Sequence, residues 1–267
     1  MEIERFFLKR DEKPLDAFPM NGGFAGIFRR IAVVGDSLSS GEFESGDGSD
    51  CRFHDYYEYS WGQFLAREIG STVYNFSKGG MTAKEYCLQF ASQKNFWDRE
   101  LACQAYILAL GCNDLHWHDG VIPLGTTADI CLEDWHNNTE SFAGYYGQII
   151  QRYREISPNA FFFLMTMPRD DGDEDKRRID DGHAALLQDL SRLFEQTYVL
   201  DLRSYAPVYD AAFKEKFFLR GHMNPAGYLL TARMVSSYLD YLVRSDFQTF
   251  SQVGFINTPY YEKNRLK

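Results

Sequence analysis

Five short, mostly apolar runs recur along the sequence, and segments with helical periodicity separate them. Each run is four to six residues long, which suits a strand that is buried on both faces. The runs are Ile31–Val34, Thr72–Phe76, Ala105–Leu110, Phe161–Thr166 and Tyr198–Leu202. Strands that alternate with helices predict an α/β fold in which helices cover both faces of a five-stranded parallel sheet.

The segments between these runs carry helix start signals. Ser60-Trp-Gly-Gln63 and Thr82-Ala-Lys-Glu85 have the spacing of capping boxes. Asn224 followed by Pro225 supplies an N-cap and a proline at the first helical position. Between them, apolar residues spaced by three and four predict an amphipathic helix over residues 142–156.

Other stretches lack this periodicity and predict irregular structure. They are residues 1–28, with one edge strand near Arg5–Leu8, the long loops 39–59 and 115–138, and the tail from Phe247. No internal repeat or linker interrupts the alternation. We therefore expect a single domain over residues 1–267, with a core at about 30–243.

The composition narrows the classes of partner. A net charge of −10 and a pI near 5.1 weigh against nucleic acid and anionic membranes, because both attract clustered Lys and Arg. The sequence predicts no signal peptide and no bilayer span. Five cysteines without C-x-x-C spacing predict reduced thiols and a cytoplasmic location. We expect no cofactor, and the sequence leaves open whether the chain forms a homo-oligomer.

Polar or glycine positions follow the first three predicted strands. These positions are Ser37, Gly80 and Asn113. The carboxyl ends of parallel strands lie at one edge of the sheet, where α/β sheets bind ligands, so we expect the three residues to lie at that edge. Two backbone N–H groups and the Asn113 amide can hold an oxyanion there. The Ser37 hydroxyl becomes a nucleophile when a base is near, and His222, just before the last helix, is the candidate base.

These positions lie in four blocks that resemble the blocks of the SGNH (GDSL-type) hydrolase family. The blocks are Gly35-Asp-Ser-Leu38, Asn75-Phe-Ser-Lys-Gly-Gly80, Gly111-Cys-Asn-Asp114 and the late His222. Their order and spacing match over roughly residues 30–243. The resemblance implies a flavodoxin-like three-layer αβα sandwich and catalytic roles for the Ser, Gly, Asn and His.

The sequence departs from the family pattern at one position. The family has an aspartate three residues before the histidine, and this chain has Leu219 there. Three accounts stay open: a main-chain carbonyl near Leu219 or Arg220 holds the ring, Asp201 or Glu215 reaches it from elsewhere, or activity has been lost. An orienting acid assists a general base without being indispensable to it.

Other polar residues flank the candidate catalytic positions. We expect Asp36 and Asp114 to hydrogen-bond turn backbone beside the binding site, and His116 to line its mouth. His116 and His118 form an H-x-H pair of the kind that can bind a metal. The block that this region resembles needs no metal, so we predict none.

These observations predict a serine esterase or deacylase that hydrolyses a carboxylic ester through an acyl-enzyme on Ser37, with His222 as general base. An aromatic content of 16% favours an O-acylated carbohydrate or another small acyl ester as substrate. Two alternatives stay open. One is an acyltransferase that uses the same acyl-enzyme, and the other is a catalytically weak carbohydrate- or lipid-binding relative, which Leu219 favours.

Overall fold

A parallel sheet lies at the centre of the computed structural model, which describes residues 3–46, 48–117 and 122–262. The strands are β1 (Arg30–Gly35), β2 (Glu42–Ser45), β3 (Arg52–Asp55), β4 (Thr72–Asn75), β5 (Ala105–Ala109), β6 (Phe161–Met165), β7 (Thr197–Leu200), β8 (Phe218–Leu219) and β9 (His222–Met223). The α-helices are α1 (Ser37–Ser40), α2 (Trp61–Ile69), α3 (Ala83–Glu85), α4 (Ala91–Gln93), α5 (Phe142–Ile156), α6 (Glu174–Leu193), α7 (Leu202–Tyr205), α8 (Ala211–Phe217), α9 (Pro225–Ser245) and α10 (Phe247–Phe250).

The central sheet has the strand order β4-β1-β5-β6-β7, with every neighbouring pair parallel. In chain order this is second, first, third, fourth, fifth, the order of flavodoxin-like folds. The predicted α/β fold with a five-stranded parallel sheet is therefore confirmed. The chain moves outward from β1 to β4 and then crosses back to β5, so the order reverses between β1 and β5. Gly35 at the end of β1 pairs with Ala109 at the end of β5.

The two faces of the sheet bury two separate apolar clusters. Ile31 and Val33 point into the cluster that includes α2 and α9, whereas Ala32 and Val34 point into the cluster that includes α5 and α6. All four side chains are at most 1% exposed. Burying an Ile or Val side chain contributes about 1.5–3 kcal/mol. Helices on both faces of the sheet therefore explain the continuous apolar run.

The predicted helix starts are present in the structure. Ser60 accepts a hydrogen bond from Gln63 N, and Thr82 accepts one from Glu85 N at 3.0 Å. The predicted amphipathic helix begins at Phe142 and ends at Ile156. Within the described ranges, no helix has both the length and the apolar character that crossing a bilayer requires.

Two predictions for the irregular stretches were wrong. The segment near Arg5–Leu8 forms no edge strand; Ile3–Phe6 is a 3-10 helix, and Phe7 packs on Phe247 of α10 with ring centroids 5.7 Å apart. The loop predicted over 39–59 contains an antiparallel hairpin of β2 and β3, which we call the β2–β3 hairpin. Its strands are short and mostly polar, so their sequence lacks the alternation that marks a half-buried strand.

Asn224 joins the segment that carries His222 to the last long helix. Its side chain accepts a hydrogen bond from Gly227 N at 2.9 Å and donates one to Lys216 O at 2.8 Å. We expect Asn224→Ala to lower the free energy of unfolding by about 1–2 kcal/mol, because the helix loses its N-cap. Asn224→Ser keeps a capping oxygen, and a smaller loss is expected for it in urea denaturation. Equal losses in both variants would contradict a capping role.

Candidate active site

Ser37 is the first residue of α1, and one residue, Asp36, separates it from the end of β1 at Gly35. The residue before it, Asp36, is 6% exposed, and its carboxylate accepts a hydrogen bond from Leu38 N at 3.1 Å. Asp36 therefore caps the α1 helix that begins at Ser37, and its buried carboxylate does not face an open pocket. The α1 helix contacts both β2 and β9, and this brings Ser37 close to the strand that begins with His222.

The loops that follow β4 and β5 are bonded to each other. The Asn113 side chain donates a hydrogen bond from Nδ2 to Met81 O at 3.1 Å, and buried Asp114 accepts one from Ala83 N at 2.9 Å. Gly80 has φ +71°, a backbone conformation that favours glycine. An amide nitrogen carries two hydrogens, so the bond to Met81 leaves Asn113 a second one to donate to a ligand.

His222 lies between two carboxylates of the β2–β3 hairpin. Its Nδ1 is 2.7 Å from Glu44 Oε1, and its Nε2 is 3.1 Å from Glu42 Oε1. The three side chains are only 10–16% exposed. The contact at Nδ1 also has hydrogen-bond geometry. The glutamates are two residues apart on one strand, so both point to the same face of β2.

Glu42 lies between His222 and the loop that contains Gly80. A methyl group placed on Gly79 would be 2.0 Å from Glu42 Oε2, so the carboxylate lies directly against this glycine. Burial raises the pKa of Glu42, the charge of a protonated His222 opposes that rise, and the charges of Asp55 and Glu44 add to it. The pocket is acidic on the side of the hairpin.

The four predicted catalytic residues lie on elements that converge at one edge of the sheet. Ser37 follows β1, Gly80 follows β4, Asn113 follows β5, and His222 is on β9, which contacts α1. Among the described residues, no hydrogen bond joins Ser37 Oγ to His222 Nε2. In unliganded enzymes such bonds are often long and shorten when the substrate binds.

The acids named from the sequence as partners for His222 lie elsewhere. Asp201 caps α7 by accepting a hydrogen bond from Ser204 N at 3.0 Å, and Glu215 is exposed on α8. Leu219 pairs with His222 in the β8–β9 ladder, and the partner of Nδ1 is a carboxylate and not a main-chain carbonyl. Sequence reasoning missed Glu42 and Glu44. The one available signal was two glutamates on alternate residues within a stretch that was predicted to be a loop.

His116 does not line an open pocket mouth, as the sequence suggested. Its ring is 9% exposed, with Nε2 2.8 Å from Asp180 Oδ1. Asp180 is fully buried and also contacts Lys176 and Arg203, so His116 belongs to a network of ion pairs and hydrogen bonds around this carboxylate. His118, the other half of the H-x-H pair, lies outside the described residues. In the described part of the chain, no group of three or more His, Cys, Asp or Glu side chains is placed to hold a metal ion.

The carboxyl of Asp36 is the most strongly perturbed acid beneath the site. Burial raises the pKa of Asp36 to about 7, the hydrogen bond from Leu38 opposes this, and the charge of Asp114 adds to it. A protonated His222 lowers the pKa of Asp36 again, so the two groups are close enough to influence each other. Asp36 exchanges a proton near neutral pH, where an ordinary aspartate is fully ionised.

Comparison with known proteins assigns the chain to a family. A model of the GDSL-like lipase/acylhydrolase family matches residues 33–230, and the chain belongs to this family. The matched range includes all four predicted catalytic residues. Membership indicates a hydrolase of the esterase type. A search of curated protein sequences finds no match.

Solved structures with a similar fold include several esterases. A carbohydrate esterase family 2 enzyme with a carbohydrate-binding domain from Corynascus thermopiles (Myceliophthora fergusii) has a TM-score of 0.58 at 15% identity, covering 79% of this chain and 65% of that one. A family two carbohydrate esterase from Clostridium thermocellum, in complex with cellohexaose, has a TM-score of 0.57 at 15% identity, and the match covers 89% of this chain and 66% of that one. An alpha/beta hydrolase from the metagenome of Lake Arreo, Spain, has a TM-score of 0.53 at 18% identity, and the match covers 80% of this chain and 96% of that one. The chain thus spans about two thirds of the two carbohydrate esterases, and at these identities the likeness establishes the fold.

Replacing Asp36 with asparagine tests the perturbed acid. In the unfolded chain Asp36 ionises at about pH 4, and in the folded protein it ionises at about pH 7. The contribution of Asp36 to the free energy of unfolding therefore falls as the pH rises through this range, and the full cost of burying its charge is present above about pH 7. Asparagine caps helices as well as aspartate but carries no charge. We expect Asp36→Asn to stabilise the protein more at pH 8 than at pH 5, by on the order of 2 kcal/mol in urea denaturation.

The exposed residue Asp175 provides the control for this experiment. Its side chain is 84% exposed, so Asp175→Asn should change stability by less than about 0.5 kcal/mol at either pH. An Asp36→Asn effect that is equal at the two pH values would show that Asp36 ionises normally in the folded protein.

Proposed function

We propose that this protein is a serine-dependent carboxylic ester hydrolase. The observation that carries the proposal is the convergence of Ser37, Gly80, Asn113 and His222 at the carboxyl edge of the sheet, where the strand order reverses. Open α/β sheets bind their ligands at this place. The family to which the chain belongs supports the same class of reaction.

In the proposed reaction, His222 Nε2 removes the hydroxyl proton while Ser37 Oγ attacks the ester carbonyl carbon. The tetrahedral oxyanion accepts hydrogen bonds from the backbone N–H groups of Ser37 and Gly80 and from the Asn113 amide. The bond from the carbonyl carbon to the alcohol oxygen then breaks, and His222 gives its proton to the leaving alcohol. Water, deprotonated by His222, then attacks the acyl carbon. The bond from that carbon to Ser37 Oγ breaks, Oγ takes the proton back from His222, and the carboxylic acid is released.

A small acyl ester, such as an O-acylated carbohydrate, is the proposed substrate class. A cavity of about 320 Å³ lies on the other face of β2 from Glu42 and Glu44, and we call it the aromatic pocket. Its walls are Gly41, Phe43, Tyr56, Tyr59, Leu219, Pro225 and Tyr228. Aromatic walls of this kind suit the apolar face of a sugar ring, and the volume is at the small end of ligand sites. The carbohydrate esterases among the similar structures support the same substrate class.

Labelling with a fluorophosphonate probe tests the nucleophile. The probe phosphonylates an activated serine, and mass spectrometry of the digested protein locates the adduct. We expect an adduct on Ser37 in the wild type, none in Ser37→Ala, and a rate lower by about 10²–10⁴-fold in His222→Ala, because the general base is lost. Both variants should keep the wild-type thermal midpoint within a few degrees.

The other outcomes separate the remaining functions. A folded wild type that acquires no adduct would contradict the proposal and would favour a binding protein of the same fold. An adduct on Ser37, together with transfer of an acyl group to added polyols in preference to water, would identify an acyltransferase.

A further inference from the structure

The imidazole of His222 has a carboxylate partner at Nδ1, the ring nitrogen that the proposed reaction does not use. We propose that Glu44 is the positioning residue that holds His222 for catalysis, in place of the acid that Leu219 replaces. This inference rests on the proposed function of Ser37 and His222. It assigns a role to a residue that lies 178 positions from the histidine in the sequence.

The bond between Glu44 and His222 has the geometry of a strong interaction. Glu44 Oε1 is 2.7 Å from Nδ1, which is short for a hydrogen bond from nitrogen and typical of a charged acceptor. The Glu44 side chain is 10% exposed, so little water competes for it. Its second oxygen accepts a hydrogen bond from the Cys51 thiol at 3.6 Å. Both carboxylate oxygens therefore have a protein partner, and the bond to Nδ1 is the stronger of the two.

The β2–β3 hairpin is built to hold this carboxylate. Glu44 pairs with Phe53 in the ladder, and the Phe53 ring packs edge-on against the His222 ring with centroids 5.7 Å apart. On the opposite face of β2, Phe43 packs against His54 and Tyr56 with centroids 5.1 and 6.2 Å away. The Phe53–His222 contact joins the hairpin to β9, and the Phe43 contacts hold the hairpin together on its other face.

The approach of Glu44 to the His222 strand depends on a glycine. A methyl group placed on Gly221 would be 2.6 Å from Glu44 Oε1, closer than a real side-chain carbon comes to an oxygen. Any side chain at Gly221 would push the carboxylate away from Nδ1. The segment from Leu219 to His222 has no acid of its own, and Gly221 leaves room for an acid from the hairpin.

A carboxylate at Nδ1 does what a general base requires. It accepts a hydrogen bond from Nδ1–H and so keeps the proton on Nδ1, which leaves the lone pair of the neutral ring on Nε2, the nitrogen that must receive the serine proton. It also stabilises the imidazolium that forms during the attack. Glu42 is at 3.1 Å from Nε2 without hydrogen-bond geometry, so it acts on His222 through its charge and does not fix the tautomer.

Nitrogen-15 NMR of the imidazole rings in the wild type tests the tautomer directly. The sample is labelled at histidine nitrogens and measured at a pH where the rings are neutral, and His222→Ala identifies the His222 signals. We expect a protonated Nδ1 and an unprotonated Nε2, shifting towards a mixture of tautomers in Glu44→Gln. A neutral His222 with its proton on Nε2 would overturn the proposal.

Four glutamate variants test the catalytic consequence, with fluorophosphonate labelling and hydrolysis of p-nitrophenyl acetate as readouts. Glu44→Gln should lower the labelling rate and kcat by about 10²-fold and leave KM unchanged, because in this proposal Glu44 acts on the ester only through His222. Glu44→Asp keeps a carboxylate and should recover most of the rate. Glu42→Gln removes the same charge and should cost several-fold less. Exposed Glu58→Gln, with a side chain 67% exposed, should match the wild type.

The results separate the failure of this proposal from the failure of the proposed function. Equal losses in Glu44→Gln and Glu42→Gln, without recovery in Glu44→Asp, would mean that the general acidity of the pocket matters and the bond to Nδ1 does not. Wild-type rates in a folded Glu44→Gln would also overturn the proposal. If the wild type acquires no adduct on Ser37, the proposed hydrolase function is contradicted. The NMR comparison of wild type with Glu44→Gln then still shows whether Glu44 holds the His222 ring in one tautomer.

Discussion

The parallel pairing of β1 with β5 determines where this protein can do chemistry. The two strands leave the sheet together at Gly35 and Ala109, and the chain turns in opposite directions on either side of them. A crevice forms where connections diverge in this way. Ser37 and Asn113 follow these strand ends, so their positions depend on a backbone ladder and buried side chains, which resist local change.

Side-chain bonds then hold the loops of the crevice in register. Asp114 reaches from the loop after β5 to Ala83 N, and Asn113 reaches Met81 O in the same neighbouring loop. Asp36 holds the turn of the Ser37 segment in a buried position where its charge is unfavourable. In the proposed hydrolase, donors held in this way would need little reorganisation when charge develops on the substrate.

The sequence predicted the sheet, its parallel order of elements and most helix ends, because those features depend on local periodicity and on capping residues such as Ser60 and Asn224. Short blocks with a fixed order also indicated Ser37, Gly80, Asn113 and His222. The sequence could not indicate Glu44 at Nδ1 of His222, because that contact joins residues 178 positions apart through a hairpin without an apolar repeat. His116 misled for a similar reason, since its buried partner Asp180 lies on a distant helix.

The hairpin that carries Glu44 also forms a wall of the aromatic pocket through Phe43. The two side chains are adjacent on one strand and face opposite ways, so any displacement of β2 moves both. A bulky ligand that forced the aromatic pocket open would draw the carboxylate away from the histidine. In the proposed hydrolase, a poor fit in the aromatic pocket would then slow the proton transfer at His222 as well as weaken binding, so substrate selection would act on turnover too.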